Sequence, residues 1–330
     1  MRTSAPSRNQ TSLRQWPTEF RDCRGLNKKP LSRSKTIKKG TITMTSSQIK
    51  KSELEFIGEA ANYLEKPSFV IKVTNITGKP IEKVIEALPE KAQNLVAIAT
   101  KKSLEKALGI AIWSINSDNT GSFETGQQNS GWTDWGHKLL TAATGAAGGV
   151  FGIMSLPIEL PITTAIMLRG ISSIADDYGH NLNDITTRLE CLIVFAMGSP
   201  SSDDDAIDSA YFTSRVAMTQ VIEAAAKWAA GKTAQEITDA IAAKTAPALI
   251  QMIAKVAARF NVIVTETLVA KAVPAISVAT GALINAAFTH HFNSVARYHF
   301  GIRALEQRYG ELVIRTEYDR VKPALKPANT

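Results

Sequence analysis

The residues of this chain that could do chemistry do not fall into a known catalytic spacing. The densest set lies in ELPITTAIMLRGISSIADDYG, residues 159–179, where Glu159, Thr163, Arg169 and Asp176 interrupt an apolar run. On one helix, Glu159, Thr163, Ile166, Gly170 and Ser173 line a stripe, and Arg169 and Asp176 line its neighbour. Arg169 and Asp176 are two turns apart, so they would bridge other helices rather than each other. The favoured reading is a buried polar network that holds packed helices in register. The sharper alternative is a ligand or ion site.

Other candidates fail on spacing. His290 and His291 are adjacent and His299 lies eight residues after His291, too far along one helix to chelate a single metal. No H-E-x-x-H occurs, so a protease or zinc-enzyme reading has no basis. Asp203, Asp204, Asp205 and Asp208 lack the alternating ligands and turn glycine of a calcium loop, and read instead as charges at a helix N-terminus. GAAGGVFG, Gly145 to Gly152, has neither a preceding strand nor the lysine of a phosphate loop. No catalytic residue, metal or cofactor is therefore assigned.

The elements that position these residues read as helices throughout. Ile49, Leu54, Phe56, Ile57, Ala60, Ala61 and Leu64 share a helical face after Thr45, Ser46 and Ser47, any of which could cap it. Further helices are expected across residues 81–88 and, beyond Pro89, to about 112. Pro161 suits a first helical turn. Asp184 to Gly198 and Ala206 to Ala230 follow, and Thr233 with Glu236 forms a T-x-x-E capping box for the next helix. The last helix runs from about Phe292 to Tyr309, and residues 310–330 read as a Pro-containing tail. Residues 114–131 are a polar loop. Trp132 and Trp135 pack on a core by the simpler reading and form an interfacial belt by the other. With no hairpin signal and no βαβ alternation, the fold class is all-α, a multi-helix bundle.

Two uncharged, small-residue-rich segments bracket an amphipathic middle: Leu139 to Ile158 and Ala272 to Thr289. Gly149 and Gly281 are expected to allow close helix approach. Both segments contain Pro and several Gly, Thr or Ser residues, which makes them weak as spanning helices. They could pair in a core or dip together into a bilayer.

The net charge of +8 is misleading. Residues 1–43 hold eleven Lys or Arg against Glu19 and Asp22, a tail of +9 that leaves residues 44–330 at −1. The body is not expected to bind nucleic acid. The tail is a disordered basic arm, a targeting peptide, or sequence ahead of a true start at Met44. Cys23 and Cys191 form no metal motif, and Cys191 reads as a buried structural thiol in a reducing compartment.

The run from Glu159 to Gly198 resembles the central block of the EcsC family. It carries Glu159-Leu160-Pro161 with Thr163 and Thr164, then Arg169, Ile174-Ala175, Tyr178-Gly179, Asp184 and Arg188. Ala210-Tyr211-Phe212 with Arg215 resembles the family's aromatic pair followed by Arg. Gly281 to Gly310, including Asn285, resembles its closing block. The likeness covers roughly residues 50–312 and divides the chain into a tail 1–43, a helical domain 44–312 and a tail 313–330. The family is bacterial and named from a gene beside an ABC transporter, which implies no activity and no catalytic residues. Glu159, Thr163, Arg169, Asp176, Arg188, Arg215 and Asn285 stand as structural or ligand candidates. The expected function is a non-enzymatic helical protein, cytoplasmic, held at the inner face of the cytoplasmic membrane or in a transporter-linked membrane complex. The alternatives are a soluble hydrolase using Glu159, Arg169 and a His, or a soluble helical adaptor.

Overall fold

The computed structural model describes residues 49–65, 69, 74–75, 85, 88–113, 152–199, 210–272 and 278–322. The basic tail, Met44, the 114–131 loop, Trp132, Trp135, Gly149 and the Asp203–Asp208 run lie outside them, and so does most of the uncharged stretch before Gly152. Among the described residues every regular element is an α-helix. They are α1 (Lys51–Leu64), α2 (Glu90–Trp113), α3 (Gly152–Asp177), α4 (Ile185–Met197), α5 (Ala210–Ala229), α6 (Ala234–Ala242), α7 (Pro247–Ala272), α8 (Val278–Tyr309) and α9 (Glu311–Val321). The all-α bundle expected from periodicity is what forms.

The short helix α4 is the axis of the core. It packs against α2, α3, α5, α7 and α8, and all of its residues from Thr187 to Met197 except Glu190 are buried. The Phe195 ring packs tilted at 4.8 Å from Phe260 of α7 and 5.2 Å from Phe292 of α8. Asp184 caps α4 by accepting from the Thr186 N–H, and Thr233 with Glu236 forms the capping box of α6. Both caps follow from local side-chain chemistry that sequence displays directly. At α1, Glu53 reaches back to the Lys50 N–H at 3.0 Å, so the cap falls later than the Thr45–Ser47 run.

Four expectations change. The C-terminal tail is helical through Val321, with Ile314, Glu317 and Tyr318 buried. Gly310, at φ 95°, looks like a helix stop in sequence, but the chain turns there and resumes as α9. The apolar start of the last helix and its amphipathic end are one helix, α8. The long apolar helices are α3 and α7: Leu156–Asp177 and Pro247–Lys271 have the length and hydropathy of membrane spans. In α7 the charges Lys255, Arg259, Glu266 and Lys271 are spaced widely enough to leave that hydropathy high. Finally, Gly281 is not a close-approach site, because a Cβ added there meets nothing within 4 Å.

Helices α3 and α8 run side by side in the same direction. Gly170 backs onto the Asn293 side chain, Tyr178 lies beside Gly301, and the His180 Nε2 meets the Phe300 carbonyl at 3.0 Å. From Gly170–Asn293 to Tyr178–Gly301 the partner numbers rise together.

Candidate functional site

On α3 the buried stripe is Leu156, Leu160, Thr164, Met167, Leu168, Ile171 and Ala175, which follows the helical period. Arg169 and Asp176 fall on the opposite face and are exposed. The expected buried network centred on them does not form. Glu159 is half-buried about two turns into α3, where its Oε1 accepts from Lys271 Nζ of α7 at 3.0 Å. The Thr163 hydroxyl donates to the Glu159 carbonyl at 3.0 Å, a bond within its own helix. Asn285 is exposed on α8. Arg188 is buried and its Nε donates to the Leu182 carbonyl, tying α4 to the turn before it. Glu159 and Arg169, ten residues apart on α3, sit about 15 Å apart along its axis, so the Glu159/Arg169/His hydrolase constellation is not assembled.

Arg215 is different. Its guanidinium, buried on α5, donates from both terminal nitrogens to the two carboxylate oxygens of Glu306 on α8, at 2.7 and 2.8 Å. Arg303, one turn earlier, lies 3.5 Å from the same carboxylate and 3.0 Å from Glu190 of α4. The chain of charges therefore runs Glu190, Arg303, Glu306, Arg215, and reaches Glu311 of α9 at 3.6 Å. Such a pair is geometrically specific because a planar guanidinium fits both oxygens of a carboxylate.

Tyr211 and His299 complete the cluster. The Tyr211 hydroxyl interacts with the Arg215 guanidinium and is hydrogen-bonded to His299 Nδ1 at 3.0 Å. His299 is fully buried, and its Nε2 has no partner. Burial, and then the positive charges of Arg215 and Arg303, hold the His299 imidazole neutral, well below its ordinary range. Burial also lowers His180, against the opposing pull of the Phe300 carbonyl and Glu190. Burial pushes the Tyr211 phenol above its usual value. Burial works against the Arg215 charge, but Tyr211 and Glu306 outweigh it and keep the group cationic.

Two further acids extend the same design. Glu65 accepts from the Ala210 N–H at 2.9 Å and from the Tyr318 hydroxyl at 3.0 Å, joining α1, α5 and α9. Glu53 receives Arg308 and the Tyr309 hydroxyl, joining α1 to the end of α8. Cys191 is buried and its thiol is pushed up to about 12 by that burial, as befits a structural residue.

Sequence reasoning singled out Arg215 but not Glu306, Arg303, Tyr211–His299 or Glu65. The available signal was on α8, where His299, Arg303 and Glu306 recur at four and three residues on a buried helix. The arrangement can clamp α4, α5, α8 and α9 together. The ionic groups pair with one another and Tyr211 and His299 are buried, whereas an acid or base must reach its substrate. An open hollow of about 570 Å³ lies elsewhere, between α2, α6 and α7, lined by Lys101, Glu105, Ile241, Lys244, Pro247 and Ile250 among others. Among the described residues no group of three His, Cys, Asp or Glu side chains is placed to hold a metal ion.

Comparison with known proteins agrees with the resemblance in the central and closing blocks. Protein EcsC of Bacillus subtilis (strain 168) is 24% identical over 123 residues, which is 37% of this chain and 52% of that protein. The chain thus matches about half the length of that relative. No solved structure matches. The sequence model of the EcsC protein family matches residues 52–305, from α1 to the ionic cluster on α8, and the chain belongs to that family.

Proposed function

We propose that this protein is a non-enzymatic helical module that associates with the cytoplasmic membrane, as a peripheral protein on its inner face or as part of a transporter-linked membrane complex. The observation that carries this is the pair α3 and α7. Each has the length and hydropathy of a span, yet only 39% and 44% of their most apolar windows are buried in the protein. A core helix of a water-soluble bundle would hide most of such a window. The exposed side chains of α3 before Arg169 are apolar, and such a face is suited to lipid or to an apolar partner. Ionic pairs that join four helices suit a scaffold rather than a reaction centre.

Cell fractionation followed by a carbonate wash tests the reading. Recovery in the membrane fraction, with release by carbonate, is the expected result for peripheral attachment. Recovery wholly in the soluble fraction, with no binding to lipid vesicles, overturns it.

A further inference from the structure

We infer that the membrane contact is one end of the α3–α8 edge, entering the headgroup–acyl boundary of a phospholipid bilayer with Arg169 and His290 at its rim. This rests on the membrane reading above and adds which face is used and how deep it goes. The exposed stripe of α3 changes character along its length. Before Arg169 it presents Pro157, Ile158 and Ile166, with half-buried Ile162 and Ala165 between them. From Arg169 onward it presents Arg169, Ser173, Asp176 and Asp177. Ile158, Ile166 and Leu283 are 70%, 54% and 58% exposed and gather at one end of two adjacent helices, whereas Val216 and Leu312 stand on other helices.

The neighbouring helix makes the same change. No charged residue lies between Lys271 and His290, and α8 shows Leu283, Asn285 and Ala286 to solvent before exposed His290. The pairing of Gly170 with Asn293 sets the relative level of the two helices. By that register His290 lies beside residue 167 of α3, within about 3 Å of the level of Arg169. Two adjacent helices therefore present their first exposed ionisable side chains, Arg169 and His290, near one plane. Fold stability does not require this coincidence, but a planar boundary does.

The dimensions suit shallow entry. From Pro157 to Ile166 the apolar zone is about 14 Å long at 1.5 Å per residue, more than the roughly 5–10 Å to which interfacial helices sink and well short of a span of about 30 Å. Among the described residues of this α3 stripe the charged side chain is Glu159, which pairs with Lys271 at 3.0 Å. Above the plane, Arg169 and His290 face the phosphate layer, and the acids Asp176 and Asp177 lie two turns further from it.

The full chain is tested with mixed phosphatidylcholine–phosphatidylglycerol vesicles. Ile158→Asp and Leu283→Asp each weaken vesicle binding by about tenfold or more while helicity and melting temperature stay unchanged. Val216→Asp and Leu312→Asp change equally exposed apolar residues on α5 and α9 and leave binding unaltered. In a Cys23→Ser background, with Cys191 buried, a polarity-sensitive dye at Ile166→Cys shifts to the blue on vesicle addition and a dye at Ser173→Cys does not. If the wild-type chain binds no vesicles, the membrane reading itself fails. If it binds but the α3 and α8 variants bind equally well, or the α5 and α9 controls lose binding, this face is wrong and the membrane reading stands. Concentration-dependent dimers that Ile158→Asp abolishes, with vesicle binding intact, would assign the face to a second copy and overturn the inference.

Discussion

The two ends of α8 invert the usual relation between burial and polarity. Its first turns carry no charge, and Leu283 and Ala286 face solvent. Its last turns carry Arg303, Glu306 and Arg308, and the Glu306 carboxylate is buried among cations. The ionic end can be buried because its groups answer one another across four helices, so desolvation is met by bidentate bonds. The apolar end stays exposed because no described helix covers it. Stability is thus concentrated at one end, and the surface best suited to a partner sits at the other.

The largest effect expected from breaking this contrast is at the ionic end. Glu306→Ala strands Arg215 and Arg303 in the interior, and loss of one partner of a buried pair costs about 3–5 kcal/mol. Urea unfolding should show it. The double change Arg215→Met with Glu306→Leu should recover much of the loss, since an apolar pair of similar volume leaves no uncompensated charge. A single-variant loss under about 1 kcal/mol would mean the pair is solvated in the manner of a surface bridge.

Two glycines of the same helix sharpen the comparison. A Cβ at Gly301 would collide with the buried Phe56 ring and press on Tyr178, whereas one at Gly281 meets nothing. Gly301→Ala should therefore destabilise by about 1–3 kcal/mol through overpacking. Gly281→Ala should be neutral or stabilise by up to about 1 kcal/mol, from better helix propensity. Paired thermal melts decide it. Equal losses at both sites would show that the apolar end is as tightly packed as the other.

The helices were legible because their signals are local. The periodic apolar faces, the Asp184 cap and the Thr233–Glu236 box can each be read within four residues. The site was not, because its pairings are distant: Arg215 with Glu306 is 91 residues apart, Glu65 with Tyr318 is 253, and Glu53 with Arg308 is 255. The chain also shows that Arg169 and Asp176 share a stripe but not which way the stripe faces; that depends on which side α2 and α8 cover. Helix α9 escaped because Gly310 imitates a final stop and only Ile314, Glu317 and Tyr318 mark the buried face beyond it.

Acid should weaken the ionic end before the apolar end. His299 and His180 have pKa values lowered in the folded state, His299 by burial followed by Arg215, Arg303 and His180, and His180 chiefly by burial. The unfolded chain then binds more protons as pH falls through the ordinary histidine value of about 6.5. Stability is full above that pH and declines below it, toward the folded values. Urea midpoints measured from pH 7.5 downward should fall, and His299→Gln should flatten the decline. A midpoint that rises on acidification would reverse the sign and show that His299 gains a proton in the folded protein.

The smallest expected effect corrects a natural misreading of the sequence. Had Arg169 been the centre of a buried network, Arg169→Ala would have stranded polar partners at a cost of about 1–3 kcal/mol. Arg169 is exposed on the outer stripe of α3, and substitutions at exposed positions usually stay within about 0.5 kcal/mol. Arg169→Ala should therefore leave the urea midpoint nearly unchanged, in contrast to Glu306→Ala on the same gel-filtered preparations. Its consequence, if the rim assignment holds, lies in vesicle binding, where loss of one cation facing the phosphates weakens attachment by roughly 1 kcal/mol and raised salt narrows the difference from wild type. A stability loss comparable to that of Glu306→Ala would return Arg169 to the core of the fold and remove it from the rim.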